Sequence, residues 1–373
     1  MHFLVVIAEG LLLVFALRRI LLLVGAWLPP KPPDPPSSWP SLAVLIPARN
    51  EESILPQVLD ALSHLDYPVQ RISIILVSDG SSDRTPELFA LWAQGRANVK
   101  VLILEGVGKS VALATALSEA PPSDIVVTFD ADTWPRPDSL RRLVGSFNDP
   151  RVAAAGGLCL PSNPRESIVS RYSALEYWVH HFVNLSGKER WRLGPVPSAN
   201  IAAYRRDALI QVGGFLPGVA DDVSTTLRIL AAGYKSRYIV DAVAETPVVT
   251  TLRQLSAQRR RWSANLHHAA PSARGIETMI VAAGYLDRVV FALCILLAIG
   301  GAIPLFVVVV YSGVLLASVI TAVGRAGYAM RIPEFLAVAA LMAPVELWLS
   351  LPVLGRRRVS TWSPPGRSPS QPQ

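Results

Sequence analysis

The feature that most constrains this chain is a long stretch near its carboxyl end, from Val289 to Gly324, that contains no charged residue. A single helix of that length would measure about 54 Å, well beyond the roughly 30 Å of hydrocarbon in a bilayer. A glycine pair and Pro304 interrupt the stretch. We therefore predict three helices in residues 277–355: an interfacial or partly inserted helix over about 279–299, and membrane crossings over about 303–323 and 332–354.

The amino end is also apolar. Residues 3–17 are apolar except for Glu9, then Arg18 and Arg19 follow, and a second apolar stretch reaches Leu28. A cleavable signal peptide carries its positive charge before the apolar core. The reversed order predicts an uncleaved membrane helix over 1–28, with the arginine pair on the cytosolic side. A helix lying in the membrane interface remains the alternative, because the first apolar stretch is short for a crossing.

The carboxyl-terminal tail, 356–373, begins with three arginines and is rich in proline and serine. The same charge rule places it in the cytosol and favours an even number of crossings after the central region, although three remain possible. Glu346 falls inside the last apolar segment. It is either a functional intramembrane carboxylate or a residue close to the interface.

Composition narrows the classes of partner. Charged residues make up only 17% of the chain, against about a quarter in a typical soluble protein, and such an apolar chain is not a disordered one. The net charge is +7 and is mostly arginine, which favours phosphate groups or anionic lipid as partners. Nucleic acid is rejected, because basic and aromatic residues are not interleaved. Cys159 and Cys294 have neither disulfide-framework nor zinc-site spacing.

A proline-rich linker, 29–40, separates the first helix from a region of different character, 41–270. Short β-branched runs alternate there with helical patterns, which predicts an α/β domain with a doubly wound, mostly parallel, Rossmann-like sheet between flanking transmembrane helices. The helical patterns cover 52–65, a helix capped by Asp83, 109–120 and 223–232. The predicted strands are Leu42–Pro47, Ile72–Ser78, Val99–Leu104 and Ile125–Phe129.

Polar clusters follow each predicted strand, at 48–52, 79–83, 106–109 and 130–132. Ligands bind beyond the carboxyl ends of strands in such sheets. Asp130 and Asp132 could hold a divalent cation together with substrate phosphates, although a DxD sequence alone usually forms turns and caps. Each cluster has an ordinary structural interpretation of this kind. The functional hypothesis therefore depends on their combination.

Later in the chain an acidic pair, Asp221 and Asp222, opens a helical pattern, where it could serve only as a helix cap and dipole partner. The sequence QRRRW at 258–262 could likewise be only a basic patch beside the membrane.

In their order, these elements resemble membrane-bound family 2 glycosyltransferases of the GT-A fold, in the cellulose-synthase-like and poly-N-acetylglucosamine-synthase-like branch. The resemblance covers about 42–263. The family often has paired aspartates where this chain has Ser78-Asp79, and Glu-Asp where it has Asp221-Asp222. The matching elements are IPARNEE (46–52), VSDGSSD (77–83), GK (108–109), FDADTWPRPDSL (129–140), the acidic pair before TLRILAAGY (226–234), and QRRRW (258–262).

The resemblance implies an inverting transfer from a nucleotide-diphosphate sugar, most simply a UDP-sugar, to a hydroxyl of a lipid or growing glycan. Asp222 would be the catalytic base. Mg²⁺ or Mn²⁺ would be bound by Asp132 and Asp130. The nucleotide and its phosphates would contact Glu51, Asp79, Lys109 and Asp130, and the acceptor or diphosphate would contact Asp221, Gln258, Arg261 and Trp262.

Three functions remain open: a lipid glycosyltransferase, a processive β-polysaccharide synthase, and a non-catalytic nucleotide-sugar-binding subunit. The retained acidic residues argue against the third. Few predicted crossings favour a lipid or short-glycan acceptor, whereas QxxRW is frequent among processive members of the resembled family. In each case we expect an integral protein of a bacterial cell membrane, in contact with membrane lipid, with its catalytic domain in the cytosol.

Overall fold

The structure is a computed structural model, and it describes residues 2–28, 33–36, 38–217, 221–269 and 276–350. The predicted cytosolic tail, 356–373, lies outside the described residues, as do the end of the last predicted crossing and part of the proline-rich linker.

Four neighbouring strands form the parallel half of an eight-stranded sheet. Burial on both faces explains the near-continuous apolar sequences of the first, second and fourth strands, which are almost wholly buried, whereas the third strand lies at the sheet edge and is only partly buried. All four coincide with predicted strands. They are β1 (Leu42–Ala48), β2 (Ile72–Asp79), β3 (Val99–Leu104) and β4 (Ile125–Phe129).

The second half of the sheet is mixed. The full order is β3-β2-β1-β4-β7-β6-β8-β5, in which β7 pairs antiparallel with both β4 and β6, whereas β6 and β8 pair in parallel. The α/β class and the predominance of parallel pairing are confirmed. These added strands are β5 (Trp134–Pro135), β6 (Val152–Pro161), β7 (Ile201–Arg205) and β8 (Lys235–Thr246).

Helices cover both faces of the sheet. Alternate residues of β1 point to opposite sides: Leu42, Val44 and Ile46 enter one apolar core, and Ala43 and Leu45 enter the other. Three layers result, with the sheet in the middle. The helices of these layers are α2 (Leu55–Ser63), α3 (Thr85–Ala93), α4 (Lys109–Glu119), α5 (Ser139–Val144), α8 (Arg206–Gln211) and α9 (Asp221–Ala231).

A separate group of helices packs beside this domain. Two segments, 305–325 and 329–349, are long and apolar enough to cross a membrane, close to the predicted crossings. A π-helical turn, His180–Leu185, joins two members of the group. The helices are α1 (His2–Trp27), α6 (Ile168–Val179), α7 (Ser186–Trp191), α10 (Leu252–Ala269), α11 (Ile276–Ile299), α12 (Leu305–Arg325) and α13 (Ile332–Ser350).

The first helix is fixed to the domain through α7. A Cβ atom at Gly187 would lie 2.7 Å from the Cα of Leu22, so only glycine permits this approach of the two helices. The indole N–H of Trp191 donates a hydrogen bond of 2.7 Å to the carbonyl of Leu21. These contacts hold α1 against α7.

The arginine pair of α1 is bound inside the helix group. Arg19 donates to Asp287 of α11 at 3.0 Å and to the hydroxyl of Tyr311 at 2.9 Å, and Arg18 reaches Asp287 at 3.2 Å. Asp287 is fully buried. One carboxylate therefore serves two guanidinium groups, which leaves net positive charge at this point of α1.

Candidate active site

A cavity of about 2020 Å³ opens at the carboxyl ends of β1 and β4 and continues among the helices beside the domain. Asp79 does not line it, and the side chains of Asp221 and Arg261 lie outside the described residues. Most of the predicted site residues do line it, namely Glu51, Lys109, Asp130, Asp132, Asp222, Gln258 and Trp262. The fold thus brings distant motifs to one crevice.

Two of the strand-end loops are tied to each other. The backbone N–H of Glu52 donates to Asp83 at 3.0 Å, and the Glu52 carboxylate accepts from the N–H of Arg84 at 2.9 Å. Asn50, in the left-handed region at φ 55°, accepts from the N–H of Ser82 at 2.8 Å. These reciprocal bonds explain why α2 begins only at Leu55. They hold the loop that presents Glu51 to the cavity.

Asp79 organises the glycine-containing loop after β3. It is 2% exposed, and its two carboxylate oxygens accept hydrogen bonds from the N–H groups of Val107 and Gly108, at 2.7 and 2.8 Å. The loop leads directly into Lys109, the first residue of α4. Asp79 therefore orders the loop that leads to Lys109, and its predicted contact with the nucleotide stays a prediction.

Gly80 gives a test of this loop. Its φ is +67°, and a Cβ there would lie 2.7 Å from the Cα and N of Gly106, which are backbone atoms that cannot rotate away. We expect this overlap to make Gly80→Ala cost about 1–3 kcal/mol of stability in addition to backbone strain, seen as a lower Tm of the purified chain. Gly95→Ala is the matched control, because Gly95 also has positive φ but open space around it. Equal Tm values for the two variants would contradict this explanation.

Asp130 lies at the end of β4 and forms an ion pair with Lys109, with 2.6 Å between the Lys109 Nζ and a carboxylate oxygen. Both side chains are only partly exposed, at 19% for Lys109 and 27% for Asp130. Charges held at this depth interact more strongly than surface charges do. Together they present one anion and one cation to any group that enters the crevice.

Asp132 follows at the start of the short turn before β5. Its backbone carbonyl accepts from Thr246 of β8 at 3.2 Å, and the next residue, Thr133, accepts from Asn200 at 3.1 Å. The loop is thus fixed from two sides. The described residues contain no group of three or more His, Cys, Asp or Glu side chains placed to bind a metal. Two carboxylates nevertheless fit Mg²⁺ or Mn²⁺, since Mg²⁺ is usually held by one or two carboxylates plus substrate phosphates.

Asp222 lies in the first turn of α9. One carboxylate oxygen accepts from the N–H of Ala199 at 3.0 Å and the other from the N–H of Val223 at 2.8 Å. The bond to Ala199 crosses to the loop before β7. The positive end of a helix dipole favours an ionised carboxylate. Both carboxylate oxygens of Asp222 are therefore oriented by backbone N–H groups, and the side chain lines the cavity.

The QRRRW segment lies on α10. Gln258 and Trp262 line the cavity, as predicted. Arg259 was not predicted as a site residue, yet it is 7% exposed and its guanidinium carbon lies 4.6 Å from the centre of the Trp262 ring. Such a contact is a cation–π interaction, which fixes the plane of the indole.

Arg259 belongs to an ionic cluster that we define as Glu176, Arg259, Arg288 and Glu346. Arg259 pairs with Glu176 and, at 3.6 Å, with Glu346, and Arg288 pairs with Glu346 and, at 3.5 Å, with Glu176. The members come from α6, α10, α11 and α13 and balance in charge. Breaking such a buried set leaves an uncompensated charge.

Glu346 is one member of this cluster. Its side chain is 6% exposed and bound to two arginines, so it is an interior partner of the QRRRW helix. An acidic residue within an apolar segment demands a cation. A basic partner for Glu346 could therefore have been sought in the sequence. Arg288, directly before the uncharged stretch, is one of the two arginines that pair with it.

The comparisons with known proteins agree with this geometry. Residues 40–265 match the model of the family described as Glycosyltransferase like family 2. The chain is 31% identical over 231 residues to "Probable glycosyltransferase YdaM" of Bacillus subtilis. The aligned region covers 60% of this chain and 54% of that protein. An N-acetylglucosaminyltransferase of Mesorhizobium japonicum is 30% identical over 252 residues, covering 63% of this chain and 58% of that protein.

A third relative, the β-monoglucosyldiacylglycerol synthase of Synechocystis sp., is 30% identical over 229 residues, covering 60% of this chain and 47% of that protein. The chain thus spans about half the length of the curated relatives it matches. Among solved structures, mannosyltransferase PcManGT from Pyrobaculum calidifontis, in complex with GDP-Man and Mn²⁺, superposes with a TM-score of 0.64 at 22% identity, covering 95% of each chain. From its sequence and fold together, this chain belongs to the family described as Glycosyltransferase like family 2 and has a GT-A fold.

Proposed function

We propose that this protein transfers a sugar, with inversion, from a nucleotide-diphosphate sugar to a hydroxyl of a membrane lipid. The observation that carries the proposal is the continuity of the cavity. Asp130, Asp132 and Asp222 line the same space as Phe291 and Leu315 of the apolar helices. A polar donor and a lipid acceptor can therefore meet in one crevice.

Asp222 takes the proton from the acceptor hydroxyl in this proposal. The hydroxyl oxygen forms a bond to the anomeric carbon while the bond from that carbon to the diphosphate oxygen breaks. Help from a general base is worth roughly 10²–10⁴ in rate. The bonds from Ala199 and Val223 to Asp222 support this role, because they orient both carboxylate oxygens before the acceptor arrives.

The leaving diphosphate needs compensating positive charge. Lys109 is placed to provide it, since it directly follows the glycine-containing loop after β3 and lies beside Asp130. Asp130 and Asp132 would hold Mg²⁺ or Mn²⁺, which would neutralise charge on the diphosphate. We infer a UDP-sugar as donor, with Glu51 at the nucleotide.

The proposed location is a bacterial cell membrane, with the catalytic domain in the cytosol. Support comes from the two apolar helices of crossing length and from the lipid product named for the Synechocystis relative. A second candidate function is extension of a glycan chain. The placement of Gln258 and Trp262 in the cavity favours it, because an aromatic face suits an acceptor sugar.

A direct assay tests the proposal. Membranes containing the full chain would be incubated with radiolabelled UDP-sugars and with GDP-mannose, then extracted with organic solvent. We expect one donor to give a labelled, solvent-soluble product. Label retained at the chromatographic origin would instead show a polymer. If no donor gives any product above the level of Asp222→Asn membranes, the proposal is wrong.

A further inference from the structure

One end of the cavity is cationic. Arg18 of α1 and Lys188 of α7 line it there, together with His180 and Asn184 of the π-helical turn. Arg18 shares the buried carboxylate of Asp287 with Arg19, and its Nε is buried without a hydrogen-bond partner. Within the part of the chain that the structure describes, the ammonium group of Lys188 has no ion-pair or hydrogen-bond partner. Positive charge at this end is therefore incompletely compensated.

The electrostatics of this end show the imbalance. Burial, together with repulsion from Arg18, lowers the pKa of Lys188 to about 8. Burial, and then the charge of Lys188, lowers the pKa of His180 to about 4, so that its imidazole is neutral near pH 7. The imidazole is exposed in the cavity. A bound anion would relieve the repulsion between the two cations and could accept hydrogen bonds from the neighbouring His180 and Asn184.

Apolar side chains lie beside this end. Phe291 and Ile295 of α11 and Leu315 of α12 line the same cavity, and the ring of Phe291 contacts that of Tyr311, the hydrogen-bond partner of Arg19. Ala340 and Leu347 of α13 also line the cavity. A cationic end beside an apolar wall complements an amphiphile with an anionic head and hydrocarbon chains. Free inorganic phosphate would satisfy the cations but leave the apolar wall without a partner, and for this reason the lipid is the better fit.

We propose that Arg18 and Lys188 form a binding subsite for the phosphate of a lipid headgroup, with its acyl chains against α11, α12 and α13. This inference rests on the proposed function and names its acceptor class: a lipid that carries both a phosphate and the reacting hydroxyl. Arg18 contributes a planar guanidinium with paired N–H donors, and Lys188 contributes a compact ammonium charge. Together they suit the oxygens of a tetrahedral phosphate.

Lipid binding to the purified full chain in a neutral detergent tests the subsite. The probes are a pyrene-labelled phosphatidate and a diacylglycerol with the same labelled chains, followed by energy transfer from protein tryptophans. We expect the wild type to prefer phosphatidate by about tenfold or more, the value of one charge-assisted hydrogen bond. Lys188→Gln should lose most of that preference. Lys235→Gln, which alters an exposed lysine away from the cavity, should keep it.

Each outcome decides the matter. Equal binding of the two lipids by the wild type would overturn the subsite without reference to any variant, as would a preference that survives both Lys188→Gln and Lys188→Met. UDP binding is measured on every variant to show that it has folded. If Lys188→Gln does not fold, Lys188→Met, which retains the length of the side chain, is used in its place. Displacement of phosphatidate by inorganic phosphate or glycerol 3-phosphate at equal concentration would show a free-phosphate site and overturn the lipid assignment.

The binding assay requires no turnover, so the two proposals can fail separately. Equal binding of the two lipids by a wild-type chain that still transfers sugar would contradict only the subsite. A clear lipid preference in a chain that transfers no sugar would contradict only the proposed function.

Discussion

Asp222→Asn is expected to reduce the rate of sugar transfer by about 10²–10⁴, the usual contribution of a general base, while UDP binding changes by no more than a few fold. Asparagine keeps the size of the side chain, and its carbonyl oxygen can still accept the hydrogen bond from Ala199. It cannot take a proton at neutral pH. The measurements are kcat with a labelled donor and calorimetric titration of UDP.

A matched control is available in the same domain. Asp207 lies in the first turn of α8, is exposed, and does not line the cavity. Asp207→Asn should leave both kcat and UDP binding unchanged. If Asp222→Asn instead weakened UDP binding by the same factor as turnover, Asp222 would be a binding residue and not the base.

Asp132→Ala is expected to remove the metal dependence of UDP binding. The protein offers two carboxylates to a cation at this position, and one of them, Asp130, is already paired with Lys109. Loss of Asp132 leaves too few oxygen ligands for the cation. Because even changes outside the ligand shell cost 10–100-fold in metal affinity, we expect the affinity for Mn²⁺ to fall by at least about a hundredfold. UDP would be titrated calorimetrically with Mn²⁺ and with a chelator in its place.

Asp138→Ala serves as the control for that experiment, since Asp138 pairs with Arg142 and does not line the cavity. It should bind UDP as the wild type does, in Mn²⁺ and in chelator. A wild-type chain that binds UDP equally well with and without Mn²⁺ would rule out the cation, and an unchanged metal dependence in Asp132→Ala would rule out Asp132 as its ligand.

The first half of the sheet could be predicted mainly because β1, β2 and β4 are buried on both faces, and such strands leave apolar runs. The edge strand β3 is only partly buried, but it too is a run of aliphatic residues, and all four strands fall where the sequence places them. The second half has no such signature. β6 begins Val-Ala-Ala-Ala-Gly-Gly, where close packing has selected small residues, and a Cβ at Gly156 would lie 2.7 Å from Pro197. Small residues indicate no particular element until the neighbour that requires them is known.

The candidate site was predictable where a motif ends a strand or opens a helix, as with Asp132 and Asp222. Pairings between side chains distant in the chain were not. Arg259 stands among three arginines that look alike in the sequence, and only the fold shows which one meets Glu176 and Glu346. Asp79 was found through its motif, but its partners were not, because they are the backbone N–H groups of Val107 and Gly108, which no sequence motif reveals.

Under the proposed membrane location, the ionic cluster would connect the thickness of the bilayer to the position of Trp262 in the cavity. Where α13 spans the membrane as proposed, a thinner bilayer is accommodated by a greater helix tilt. Tilting carries Glu346 with it, and Glu346 is joined to Arg259, whose guanidinium stacks on the ring of Trp262. The position of that indole, and hence the rate at which an acceptor is glycosylated, should therefore follow lipid chain length.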